Sequence, residues 1–159
     1  MKRLTLVVAM SALLSSPAAS ATPLCDLTKQ IVATAQIAPM FSKIAKAVNG
    51  RPAGTIVPPG WLRCSISQYD DSTGAYTCYG PAGRSREADM TDLRAISSEL
   101  RLCYLLPATT RGATDSIGEM QSNFAVQNGD PTVTIHSYLE SPGTANGGMR
   151  LMIEWIHPS

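Results

Sequence analysis

WLRCSISQYDDSTGAYTCY, residues 61–79, reads as two short strands around one turn. Trp61–Tyr69 and Ala75–Tyr79 are the strand-like runs, and Asp70-Asp71-Ser72-Thr73-Gly74 has the residue types that turns prefer. A turn centred near Asp71 sets Cys64 opposite Cys78. Directly opposed strand residues have Cβ atoms about 4.5–5.5 Å apart, close to disulfide reach. The other two cysteines, Cys25 and Cys103, then pair and tie a first helix to a second. The rival arrangement links each hairpin cysteine to a helix cysteine.

An even number of cysteines reads as disulfides only in an oxidising compartment. The first 21 residues supply that context. Lys2 and Arg3 are followed by the apolar run Leu4–Leu14, then by Ser15-Ser16-Pro17 and Ala19-Ser20-Ala21. This order of charged, apolar and small residues is that of a secretory signal peptide, residues 1–21, with an A-x-A cleavage site. The run is too short to span a bilayer as a mature helix, so no integral membrane segment is expected after cleavage. Removing residues 1–21 from the 159 leaves 138, a normal size for one domain, residues 22–159. The precursor has 13 basic and 12 acidic residues. Loss of Lys2 and Arg3 leaves no basic surplus, which argues against nucleic acid as a partner.

Outward from the hairpin, Leu24, Leu27, Ile31, Ala35 and Ala38 recur at helical spacing, and Pro39 interrupts them. Phe41, Ile44, Ala45 and Val48 continue the apolar face, and Asn49-Gly50 ends it. The pattern predicts one kinked helix or two short ones between Pro23 and Val48. Arg51–Gly60 is dense in proline and glycine and reads as a loop. A second helix is expected over Arg86–Tyr104, with Leu93, Ile96, Leu100 and Cys103 on one face. Ser122–Gln127 and Thr132–Glu140 form a hairpin about Asn128-Gly129-Asp130-Pro131, with Val126 opposite Val133 and Phe124 opposite Ile135. Met149–Ile156 is the final strand, with Met149, Leu151, Ile153 and Trp155 on one face. The order α-β-β-α-β-β-β implies an α+β fold, two main helices packed on an antiparallel sheet.

The chemistry-bearing motifs are absent. There is no G-x-S-x-G, H-E-x-x-H, S-x-x-K or phosphate-binding glycine loop, and no C-x-x-C. No cofactor and no metal site is expected. His157 lies third from the end, which leaves His136 as the catalytic candidate. It shares a strand face with Thr134, Tyr138 and Glu140 when Val133, Ile135 and Leu139 face the core. Asp70-Asp71 reads as a solvated turn, and Asp89 and Asp92 serve the dipole of the second helix.

The aromatic residues around the first hairpin carry more. Alternation puts Trp61, Arg63 and Tyr69 on the face opposite Leu62, Cys64 and Ile66, with Tyr76 and Tyr79 nearby. Trp, Tyr and Arg dominate binding hot spots, and a disulfide-clamped hairpin would hold them preorganised. The pairing of W-x-x-C with Y-x-C resembles that of many small exported domains, including periplasmic inhibitors of cell-wall enzymes. It covers only residues 61–79 and singles out no family. The expectation is a non-enzymatic periplasmic or secreted protein-binding module, such as an inhibitor, immunity or envelope accessory protein. Its partner would be another envelope or extracellular protein. The alternatives are a small envelope or secreted hydrolase using His136, and a carrier of a small apolar ligand.

Overall fold

A computed structural model describes residues 22–35, 39–69, 72–105, 114–115, 118–127, 132–140 and 148–157. Among these residues two helices, α1 (Pro23–Ala35) and α2 (Arg86–Cys103), accompany eight strands. These are β1 (Ala45–Val48), β2 (Arg51–Gly54), β3 (Arg63–Gln68), β4 (Thr73–Tyr79), β5 (Thr114–Asp115), β6 (Gly118–Gln127), β7 (Thr132–Glu140) and β8 (Met149–Ile156). They form one antiparallel sheet in the order β1-β2-β3-β4-β8-β7-β6-β5. The fold is α+β, as the element pattern implies.

Cys64 stands opposite Cys78 in the β3–β4 register, and the two are joined by a disulfide. The second disulfide joins Cys25 of α1 to Cys103 at the end of α2. Both helices lie over one face of the sheet. Leu24, Ile31, Val32 and Ala35 of α1 and Leu100 of α2 share a core with Cys64, Tyr76, Cys78, Val133, Ile135, Leu151, Ile153 and Trp155. The registers Cys78↔Leu151, Tyr76↔Ile153 and Ile135↔Ile153 put these strand residues on the same inner face. Helix α2 begins as its composition predicts: the Ser85 side chain accepts a hydrogen bond from Ala88 N at 3.2 Å, and Glu87 and Asp89 occupy the first turn.

The stretch after α1 departs from the expected helix. Ser42–Ile44 is a single 3-10 turn, and Ala45–Val48 is strand β1, exposed along its whole length. Asn49 and Gly50 have φ of 51° and 74°. Two adjacent residues with positive φ make the tight turn that matches strand twist, so Asn-Gly here closes a hairpin rather than capping a helix. The first four residues of the expected loop, Arg51–Gly54, are therefore β2. Pro52 is tolerated because β2 pairs with β3 only at Ala53 and Gly54.

Two smaller corrections concern register. Phe124 stands opposite Ile135 as expected, but Val133 is opposite Gln127, not Val126. An irregularity between Ala125 and Gln127 inserts the extra residue. Strand β6 also starts at Gly118, earlier than Ser122, and β5 was not foreseen. The turns expected at Asp70-Asp71 and Asn128–Pro131, and residues 141–147 of the link before β8, lie outside the described residues, as does the signal peptide.

Candidate functional site

The residues singled out around the first hairpin separate into three places. Arg63, Tyr69 and Tyr79 lie on the outer face of the sheet, away from the helices. Alternation in β3 sets Arg63 opposite Tyr79, on the other side from the Cys64–Cys78 pair. Tyr76 belongs to the core instead. It is fully buried, its ring is tilted against Phe41, and its hydroxyl accepts from Ile56 N at 3.0 Å and donates to Ile56 O at 2.6 Å. Burial pushes its phenol up to about 12, against the lowering effect of the Ile56 hydrogen bond.

Trp61 and Leu62 precede β3, so strand alternation does not reach them. Leu62 is 62 % exposed, although alternation had placed it with Cys64. Trp61 turns toward the helices and packs, half-buried, against both hydrophobic clusters. There it lines a cleft of about 490 Å³ with Leu24, Ile96, Glu99 and Met149. The Thr22 hydroxyl donates to Glu99 at the mouth of this cleft.

On the outer face the Tyr79 ring is held between two guanidinium groups. Arg63 lies 4.1 Å and Arg150 4.4 Å from its centroid. The Tyr79 hydroxyl shares a hydrogen bond of 3.1 Å with Ser65 Oγ. Arg150, almost fully buried, pairs with Glu140, which offsets the cost of taking a guanidinium out of water. Arg150 also stands opposite Tyr138 in the β7–β8 register. Tyr138 is pushed up to about 12, chiefly by burial, while Arg150 pulls the other way. Tyr69 is also raised, by burial first and then by the charge of Glu154 and by Tyr79.

His136 joins this face. Its Nε2 lies 3.3 Å from Glu154 Oε2, and its buried Nδ1 has no hydrogen-bond partner among the described residues. Sequence reasoning placed His136, Tyr138 and Glu140 on one face but did not pair them with β8. The signal was present: with Met149, Leu151, Ile153 and Trp155 facing inward, Arg150 and Glu154 must face outward. The cleft beside Trp61 and the two smaller ones around Arg84 do not include His136 in their lining. Its strand neighbour Ser137 is on the inner face, opposite Leu151.

Among the described residues no group of three or more His, Cys, Asp or Glu side chains could hold a metal ion. No helix among them is long and apolar enough to cross a membrane. No protein-family model, curated protein or solved structure matches the chain.

Proposed function

We propose that residues 1–21 direct export and that mature Thr22–Ser159 is a non-enzymatic module that binds another envelope or extracellular protein. The binding surface is the outer face of the sheet around Arg63, Tyr69 and Tyr79. The observation that carries this reading is the Arg63–Tyr79–Arg150 stack on a hairpin closed by Cys64–Cys78. Arg and Tyr side chains fixed before binding lose little entropy on association and supply hot-spot contacts. Exposed Leu62 and Tyr69, the latter 61 % accessible, add apolar area at the hairpin's ends. Two disulfides suit an oxidising, exported location.

The test is capture from envelope extract on immobilised mature protein, quantified by mass spectrometry. Arg63→Ala should weaken capture of the cognate protein by at least about tenfold with the fold intact, since Arg63 is exposed. Equal capture by both proteins refutes the assignment of the face. N-terminal sequencing of exported protein should begin at Thr22; retention of Met1 in exported material refutes the export reading.

A second reading rests on the His136–Glu154 pair, which has the spacing of a general base and its orienting carboxylate. It predicts a hydrolase that loses about 10²–10⁴-fold in turnover on His136→Ala. That variant should leave capture through Arg63 unaffected if the binding reading holds. The cleft beside Trp61 falls in the size range of small-molecule sites, and its size supports the carrier reading.

A further inference from the structure

We infer that the partner of the outer face is an acidic protein surface, and that Lys46, Arg51 and Arg63 form the strip that meets it. This rests on the outer face being a binding surface and adds the chemistry of what binds there.

The chain is nearly neutral, but its charges are sorted along its length. Between Asp26 and Asp70 there is no acidic residue, while Lys29, Lys43, Lys46, Arg51 and Arg63 fall in that interval. The fold gathers three of these cations on one side of the sheet. Lys46 is opposite Ala53, and Ala53 is opposite Ser65, which lies on the same face as Arg63 two residues earlier. Val48 is opposite Arg51, and both share the face of Lys46 by alternation. Adjacent strands are about 4.8 Å apart, so three neighbouring strands present these cations within reach of one partner patch. All three side chains are exposed, and none has a carboxylate partner among the described residues. Among the described side chains, the acidic groups of the same face, Glu140 and Glu154, are engaged by Arg150 and His136 on the far strands.

Edge protection explains only part of this. A lysine on an edge strand discourages sheet-to-sheet pairing, and Lys46 on β1 can do that. Arg51 lies on β2 beyond its pairing with β3 at Ala53 and Gly54 and can share that role, but Arg63 is on β3, between β2 and β4, and is not on an edge strand. An anionic membrane is the weaker occupant, because lipid recognition by charge typically uses about 4–8 clustered cations. An acidic protein patch needs fewer, and Val48, Leu62 and Tyr69 stand beside the strip to receive apolar contacts. Complementary charge of this kind acts mainly on association rate and choice of partner, and salt screens it.

The test uses isotopically labelled mature protein titrated with a poly-L-glutamate peptide, with a neutral Gly-Ser peptide as control, followed by amide NMR. Shifts should be confined to residues 45–54 and 63–65. Binding should weaken by at least about tenfold between low and physiological ionic strength. The double variant Lys46→Glu/Arg51→Glu, both sites exposed, should keep its melting temperature and lose the shifts. Absence of shifts at low salt, or equal shifts around Arg94 and Arg101 of α2, would overturn the inference. Tighter binding to phosphatidylglycerol vesicles than to poly-L-glutamate would also overturn it and assign the strip to a membrane. In the capture assay, a double variant that holds the cognate protein as tightly as wild type overturns the acidic partner alone. Failure of Arg63→Ala to weaken capture overturns the binding face itself.

Discussion

Removing one oxygen atom from the core should destabilise the fold measurably. Tyr76 is fully buried, and its hydroxyl satisfies both the N–H and the C=O of Ile56. Tyr76→Phe keeps the ring and its packing on Phe41. It leaves two backbone groups of a half-buried residue without their partner. An unsatisfied buried polar group costs about 1–3 kcal/mol, and partial access of Ile56 to water reduces each share, so the sum is about 2–3 kcal/mol. At this chain length one kcal/mol moves the melting temperature by about 3–5 °C, so the midpoint should fall by about 6–15 °C. Urea unfolding should show a lower midpoint with an unchanged m-value, since the buried area is conserved. The same hydroxyl should also appear in the alkaline limb. The phenol is raised from about 10 in the unfolded chain to about 12 in the fold. The folded state therefore binds more protons in that window, and stability present below pH 10 is lost progressively toward pH 12. Tyr76→Phe should lose less stability over that interval than wild type. A change below about 0.5 kcal/mol at neutral pH together with an identical alkaline slope would refute the role given to this hydroxyl.

Other perturbations test other parts of the structure. Gly54→Ala places a Cβ 2.1 Å from the Tyr76 hydroxyl, an overlap that should cost about 1–3 kcal/mol in urea unfolding; a neutral result would show that Tyr76 moves aside freely. Replacing Cys25 and Cys103 together should cost about 4–5 kcal/mol, and Cys64 with Cys78 about 3 kcal/mol, because the closed loops differ in length. The reverse order would mean that native packing outweighs loop entropy. Ser85→Ala should cost about 1 kcal/mol by leaving Ala88 N–H uncapped, measured by thermal unfolding. Trp61→Ala should lower stability by about 2–3 kcal/mol through lost packing between the two clusters, with capture unchanged among molecules that remain folded. Weakened capture at full stability would return Trp61 to the binding surface.

The parts of the fold visible in the sequence are those where one local rule had no competitor. Period-two alternation in β3 and β4, together with the parity of Cys64 and Cys78, pointed to the hairpin register and favoured the two disulfides that the fold contains over the helix-linked rival. The same parity puts Tyr76 on the side of Cys78, so its core position followed from alternation carried one step further. Reading it as a surface aromatic gave residue type priority over position. Phe41–Val48 failed for a different reason. Its apolar spacing suits a helix, and Asn-Gly serves both as a helix stop and as a hairpin turn. What separates the two outcomes is burial. A helix there would need a face against the core, whereas Ala45–Val48 is exposed throughout and gains its backbone hydrogen bonds from β2. That error also concealed the candidate surface. With residues 45–54 read as helix and loop, Lys46 and Arg51 are scattered charges; as two strands in register with β3, they align with Arg63. Arg150 and Glu154 were legible as outward-facing residues of β8, but their partners were not, since pairing β8 to β4 and β7 is a long-range fact that no local pattern contains. The inner face was legible because burial imposes a repeating apolar pattern. The outer face was not, because its members come from strands far apart in sequence and only the register brings them together.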